Sequence, residues 1–302
     1  MSEGASESLN GQGPNGENMG EAADGVISDA PSATGGLRLW PFRRAAESAS
    51  DAETAEPTES KSLGARAREE LAFFVKLAAV MLVLFTFVFG HFKIPSESMQ
   101  PQLEVGDHLY ASKHAYGYSR SSLPFNLHRL PLGDWHVFKR VPERGDVVVF
   151  RHPVSDLVMI KRVVGLPGDT VAMVNGRLAV NGIVLAREEV ERFRYRDFAH
   201  GELVEVTEYR EALPGEQGDH LIWERGDAYP YDDRGPWVVP EDTVFMMGDN
   251  RDGSVDSRSP TGPGFVPLDH LIGRAEFIVF SFNRCERETD LRCPGRRALQ
   301  RL

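Results

Sequence analysis

VMIKRVVGLPGDTVAMVNGRLAV, residues 158–180, decides how the rest of the chain is read. It holds three short runs, 158–164, 170–174 and 178–180, rich in β-branched residues and each too short for a stable helix. Between them stand Gly165-Leu-Pro-Gly-Asp169 and Asn175-Gly176. The Asn-Gly pair predicts a type I′ hairpin, because both central positions of that turn need positive φ, which Asn and Gly tolerate best. The same texture recurs at 146–150, 243–247 and 274–280, again punctuated by Gly, Pro, Asn and Asp. The roughly 210 residues after residue 92 are therefore expected to be mainly β, with the hairpin signal pointing to antiparallel sheet. Residues 187–240 are more polar and less regular, and read as an insertion into that sheet structure. No internal repeat stands out.

Upstream lies LAFFVKLAAVMLVLFTFVFG, residues 71–90, whose only polar members are Lys76 and Thr86. Twenty residues at about 1.5 Å each give roughly 30 Å, the thickness of a hydrocarbon core. One transmembrane helix is expected here, with Lys76 near enough to its N-terminal end for the ammonium to reach the headgroups. Some seventy residues precede it and no small-x-small site follows, which argues for an anchor rather than a cleaved signal. Lys61, Arg66 and Arg68 lie just before the span; His91 and Lys93 follow, and then few bases until Lys113. Counting bases places the N-terminus in the cytoplasm and everything after Phe92 outside it.

The chain has 302 residues, 34 Lys+Arg and 45 Asp+Glu, a net charge of -11. The first sixty residues hold 11 acids and only 3 bases, so most of the acidity sits in one tail. That tail, 1–60, is Gly, Ser, Ala, Glu and Pro with few spaced apolar residues, and is expected to be disordered. Its exception, Leu37-Arg-Leu-Trp40-Pro-Phe42-Arg-Arg44, mixes aromatic and basic residues in the manner of a membrane or partner contact. The charge balance excludes a nucleic-acid partner. Two Cys exclude a disulfide-stapled miniprotein and a multi-Cys zinc scaffold.

Chemistry concentrates in three places: Ile94-Pro-Ser96-Glu-Ser98-Met-Gln-Pro-Gln-Leu103 with Val105-Gly-Asp107 behind it, Met159-Ile-Lys161-Arg-Val-Val-Gly-Leu-Pro-Gly-Asp169, and Gly248-Asp-Asn-Arg-Asp-Gly-Ser254-Val-Asp256-Ser-Arg258. The third fails as a helix-loop-helix calcium site. If Gly253 made that loop's sharp turn, the first ligand would fall on Gly248, which has no side-chain oxygen. There is no G-x-S-x-G elbow and no H-E-x-x-H zinc motif.

Together the three boxes, in this order and directly after one span, resemble the bacterial type I signal peptidases, membrane-bound Ser/Lys endopeptidases that remove signal peptides from exported preproteins. The resemblance covers the anchor and most of 93–282; the tail 1–60 and the extension 283–302 lie outside it. It implies Ser98 as nucleophile and Lys161 as general base. It further implies that Ser96 donates to the oxyanion with the Ser98 backbone N–H, that Ser254 orients the lysine amine, and that Arg162–Asp249 and Asp256–Arg258 are structural ion pairs. Ile94, Pro95, Met99, Leu103 and Ile160 match positions lining shallow apolar pockets, which implies cleavage after small residues at Ala-x-Ala sites. No metal or cofactor is implied. The expected partners are preproteins and a phospholipid membrane, close to the secretion translocon. The expected location is the bacterial cell membrane.

The chemistry of the pair is physically sound. A serine needs a neighbouring base, and lysine serves only when neutral, so burial among groups such as Ile160, Val163 and Val164 must lower an amine that ordinarily titrates near 10.4. Two positions depart from the family pattern, Met159 where Tyr is common and Gln102 where Thr is common, and loop 259–264 is longer than usual. Residues 123–135, ending at Trp135, are apolar but proline-broken and suit either a lipid interface or a packed loop. Cys285 and Cys293 are spaced for a small disulfide loop in an oxidising compartment. A single-pass structural or sensor protein would leave the three boxes as coincidence. A Ser/Lys self-cleaving repressor would need a helix-turn-helix, whose place is taken here by the tail and the span.

Overall fold

The computed structural model describes residues 62–302, apart from 124–126, 132, 217, 283–290, 294 and 296, with backbone alone at 85, 86, 89 and 127. The predicted tail 1–60 with its Leu37–Arg44 stretch, and Cys285, lie outside the described residues. Cys293 is disulfide-bonded.

A helix, α1 (Leu63–Phe87), occupies most of the expected span. Ser62 caps it, its hydroxyl accepting the Ala65 N–H at 3.3 Å. At its other end two tyrosine hydroxyls take carbonyls that a helix terminus leaves without partners: Tyr118 donates to Phe87 at 2.8 Å and Tyr110 to Val88 at 3.1 Å. The helix therefore stops at Phe87, and Gly90, expected inside the span, belongs to the first strand. Among the described residues no helix is long and apolar enough to cross a membrane. The expected segment is thus present as a helix, preceded by Arg68, Glu69 and Glu70 within the same helix, and not as an established crossing.

Seventeen strands follow among the described residues. The first six are β1 (Phe89–Lys93), β2 (Asp107–Ser112), β3 (Tyr118–Ser119), β4 (His136–Val137), β5 (Val147–Arg151) and β6 (Val158–Gly165). The middle group is β7 (Thr170–Val174), β8 (Arg177–Val180), β9 (Ile183–Val184), β10 (Arg187–Arg196), β11 (Leu203–Glu211) and β12 (His220–Glu224). The last are β13 (Arg234–Val238), β14 (Thr243–Met247), β15 (Val266–Pro267), β16 (Leu271–Ser281) and β17 (Ala298–Arg301). The main sheet runs β1-β2-β16-β5-β6-β14-β15, with β17 added to β16. All of its pairings are antiparallel, as the sequence predicts. The β7–β8 turn has Asn175 at φ 48 and Gly176 at φ 71, the positive pair that the type I′ reading requires.

Two apolar clusters sandwich the main sheet's centre. Ile94, Met99, Leu103, Leu109, Val147, Val149 and Ile278 form one, and Val148, Phe150, Val163, Val244, Met246 and Leu271 another. Val147 and Val149 thus face one way and Val148 and Phe150 the other, the alternation that a strand buried on both faces imposes.

The polar stretch 187–240 is more structured than its composition suggests. Strands β10, β11 and β12 make a separate three-stranded sheet, whereas β13 pairs with β7 in the hairpin sheet. Leu213 and Val239 join the core beneath that sheet, so the stretch is not wholly outside the core. Its long β10 strand is mostly exposed and carries charges on both faces over 188–192, and only Phe193 and Tyr195 turn inward against Trp223, so the period-two signal that marks half-buried strands is short.

Candidate active site

Ser98 sits on a turn with firm footings. Beyond β1, the Ile94 N–H donates to the Asp107 carbonyl at 2.8 Å and the Gly106 N–H to the Ile94 carbonyl at 2.9 Å, extending the ladder to the edge of the turn. Met99 and Leu103 are 0% exposed, so the residues after Ser98 are pinned in the core. From above, the Asn250 N–H donates to the Ser98 carbonyl at 3.2 Å and the Asn250 side-chain amide to the Glu97 carbonyl at 3.2 Å. The Ser96 and Ser98 hydroxyl oxygens lie 3.4 Å apart.

Lys161 comes from β6, a central strand opposite Val148 of β5. It is buried, and its Nζ donates to Ser98 Oγ at 2.5 Å across 63 residues of sequence. Burial lowers the amine to about 8; Asp256 and Asp249 pull upward without prevailing, and Arg258 adds to the lowering. An amine that can become neutral near pH 8, touching a serine hydroxyl, is able to take the serine proton. This burial excludes a strand lysine that faces water.

The third box closes over the pair. On the opposite side of β6 from Lys161, Arg162 donates to both carboxylate oxygens of Asp249 at 2.7 Å, a bidentate contact. Arg258 grips Asp256 in the same way, at 2.9 Å twice, and the Gly248 N–H adds a third donor at 3.0 Å. Burial alone would raise Asp256, but Arg258 overcomes it and the carboxyl is held below its ordinary range. Both expected ion pairs are thus formed. Ser254 is buried beside the pair, but its hydroxyl has no hydrogen-bond partner, so the expected contact to the lysine amine is not made. Gly248 explains how tightly the box approaches: a Cβ there would lie 2.3 Å from Ser254 Oγ and 2.4 Å from the Ser98 carbonyl oxygen.

The five expected pocket residues divide. Ile94, Met99 and Leu103 are core residues without solvent-facing surface, Ile160 is partly buried against them, and Pro95 is exposed. Of the two departures, Met159 packs beside the other core cluster, while the Gln102 carbonyl accepts Arg297 at 2.9 Å. Loop 259–264 is tied back where Ser257 Oγ donates to the Gly264 carbonyl at 2.6 Å. Trp135 is half-buried.

The structure also brings together residues that the sequence reading did not connect. A cleft of about 450 Å³ opens at Ser98, with Ser96 and Glu97 on one side and Asp197, Phe198, His200 and Arg225 on the other. The Phe198 N–H donates to the Glu97 carboxylate at 2.8 Å. The one local signal was Asp197, a turn-capping residue ahead of Gly201, and it could not say which loop the turn would meet. Among the described residues no group of His, Cys, Asp and Glu is arranged to hold a metal ion.

Residues 67–280 match the family model described as signal peptidase, peptidase S26. A signal peptidase I from Pseudomonas aeruginosa is 39% identical over 218 residues, covering 69% of this chain and 71% of that protein. One from Rickettsia typhi is 34% identical over 221 residues, covering 71% of this chain and 80% of its own. A crystal structure of a signal peptidase I from Enterococcus faecalis shares 28% identity over 45% of this chain and 97% of that one. Its TM-score is 0.26, so the fold class rests on the strand pairing described above.

Proposed function

This chain belongs to the signal peptidase family S26, enzymes that cleave signal peptides from preproteins, and from that premise we propose that it does so with Ser98 as nucleophile and Lys161 as general base. The observation that carries the assignment is the contact between Lys161 Nζ and Ser98 Oγ, made by an amine whose burial brings it to about 8. The neutral amine accepts the Ser98 proton as Oγ attacks the scissile carbonyl. The ammonium so formed gives that proton to the leaving amine as the C–N bond breaks, leaving an acyl-enzyme; the neutral amine then deprotonates a water that hydrolyses the ester, and Ser98 recovers its proton. The Ser98 N–H and the Ser96 hydroxyl stabilise the oxyanion; Ser96 Oγ already lies 3.4 Å from Ser98 Oγ. Ser254, buried and unpaired, has a hydrogen bond to give once substrate shifts the amine.

The substrate's small residues before the cut, as in Ala-x-Ala, lie over Ile160 and Pro95, with Ile94, Met99 and Leu103 as the floor. A floor that is already closed leaves no depth for a large side chain. Helix α1 anchors the enzyme in the bacterial cell membrane near the translocon, with the sheets on the outer side. Leu71, Phe73, Phe74, Val80, Leu82 and Val83 are more than half exposed around the helix, a surface suited to lipid.

The assignment is tested with a purified preprotein bearing an Ala-x-Ala site. Ser98→Ala and Lys161→Ala should each lower cleavage by about a thousandfold or more, and Ser96→Ala by about a hundredfold. Retained cleavage in either of the first two variants would sink the dyad.

A further inference from the structure

The surfaces on the two sides of Ser98 differ in kind. One is the apolar floor around Ile160, assigned above to residues before the cut. The other is the 450 Å³ cleft, whose lining shares Pro95 with that floor but includes neither Ile160 nor any of the three core residues beneath it. It is walled by the turn between β10 and β11, part of the stretch that reads as an insertion.

That turn is built to hold its shape. The Asp197 carboxylate accepts the His200 N–H at 2.8 Å and the Glu202 N–H at 3.1 Å, and the Asp197 N–H closes the turn on the Glu202 carbonyl at 2.8 Å. Phe198, at the tip, remains 62% exposed although its N–H is fixed to Glu97, the residue between the two site serines. The sheet behind the turn is locked to the third box: the Trp223 N–H donates to the Asp249 carbonyl at 2.9 Å, the Arg251 N–H returns to the Trp223 carbonyl at 2.8 Å, and the Arg225 N–H donates to Asp252 at 2.7 Å. An exposed aromatic held rigidly beside a nucleophile is a contact waiting for a substrate side chain.

Resting on the peptidase reading, we infer that turn 197–202 forms the wall for the substrate residues that follow the scissile bond, and that it disfavours acidic side chains there. A peptide running over Ser98 must leave the apolar floor on one side and enter this cleft on the other. The cleft holds the carboxylates of Glu97, Asp197 and Glu202 against the Arg225 guanidinium and His200, an acidic excess. His200 is already engaged by Asp197 at 2.9 Å, leaving exposed Glu202 to meet the incoming mature segment.

The test uses the full chain in detergent with three substrates sharing one signal-side sequence: a peptide with Lys as second residue after the cut, the same peptide with Asp, and a thioester that ends at the cut. The wild type should show kcat/KM about two- to fivefold higher for the Lys peptide at low salt, the size expected for exposed charge pairs. Glu202→Lys should abolish or invert that ratio, and Glu202→Gln, read the same way, stands in if the reversal does not fold. Phe198→Ala should lower both extended peptides about three- to tenfold relative to the thioester. Equal wild-type rates on Lys and Asp, an unaltered ratio in the Glu202 variants, or an equal loss on all three substrates in Phe198→Ala would overturn the inference while leaving the peptidase reading intact. Failure of the wild type on every substrate would instead overturn the peptidase reading, and the inference with it.

Discussion

Lys161 concentrates the energetic cost of the site. It titrates near 8 in the folded protein, chiefly because it is buried, against an ordinary value of 10.5. Below about pH 8 folded and unfolded chains both carry the proton, so folding bears the whole cost of burying it, about 3 kcal/mol at roughly 1.4 kcal/mol per unit. From about 8 to 10.5 the folded state releases its proton first and the cost fades; above that it is gone. Lys161→Met should therefore be more stable than the wild type at pH 6 to 7, with the gap closing toward pH 10.5, as read from denaturant midpoints. With this group as the general base proposed above, kcat/KM should rise through about pH 8. A gap that does not change with pH would mean that the amine titrates as a free lysine. Ser98 and Lys161 were legible as candidates because the boxes around them are distinctive, but 63 residues separate them. Their contact depends on strand β6 running beside the Ser98 turn, which no local pattern encodes. Ser254 was legible as a neighbour, but not as a buried hydroxyl without a partner.

At the scale of elements, the strands that alternate or run apolar were found where the sequence placed them, from β5 through β8 and again at β14, and the Asn175-Gly176 turn has the backbone its residues demand. Hairpin β10–β11 was not, since over most of β10 both faces are exposed and only Phe193 and Tyr195 alternate inward. Its role arises from a turn reaching Glu97 about a hundred residues away. The third box is an element held by fit rather than by periodicity, and Gly248 is where the fit is closest. Gly248→Ala would drive a methyl into the Ser98 carbonyl and Ser254 Oγ. The carbonyl is backbone and cannot swing aside, so the box must back away from Ser98. The expected result is a loss of about 1 to 3 kcal/mol in stability and at least about tenfold in kcat, measured by thermal unfolding and by preprotein cleavage. Adding Ser254→Gly should restore only part of either, because the Ser98 carbonyl stays in place.

Across the whole molecule, two sets of contacts join outlying parts to the catalytic sheet. The C-terminal segment adds β17 to β16, its Arg297 reaches the buried Asp107, and Arg292 pairs with Glu208 of β11 at 3.1 Å. At the opposite terminus, Tyr110 and Tyr118 clamp the last carbonyls of α1. That clamp gives the helix an architectural consequence, because Ser98 lies only eight residues beyond Gly90. Held by that clamp, Ser98 is tied to the helix end, so the proposed attachment of α1 to a bilayer would also set the height of the site. The exposed apolar residues of α1 face every direction, as a helix surrounded by lipid requires. If lipid is the surrounding, a charge at the middle of the apolar run must be costly, about 2.5 to 3.5 kcal/mol for an arginine. Val80→Arg, in the middle of that run and 56% exposed, should therefore reduce co-flotation of the full chain with phospholipid vesicles. It should leave cleavage of a soluble peptide unaltered, since Val80 lies far in sequence from all three boxes and outside the sheets. Unchanged flotation would mean that α1 does not hold the protein to the bilayer, and the membrane part of the proposal would fall while the peptidase part stood.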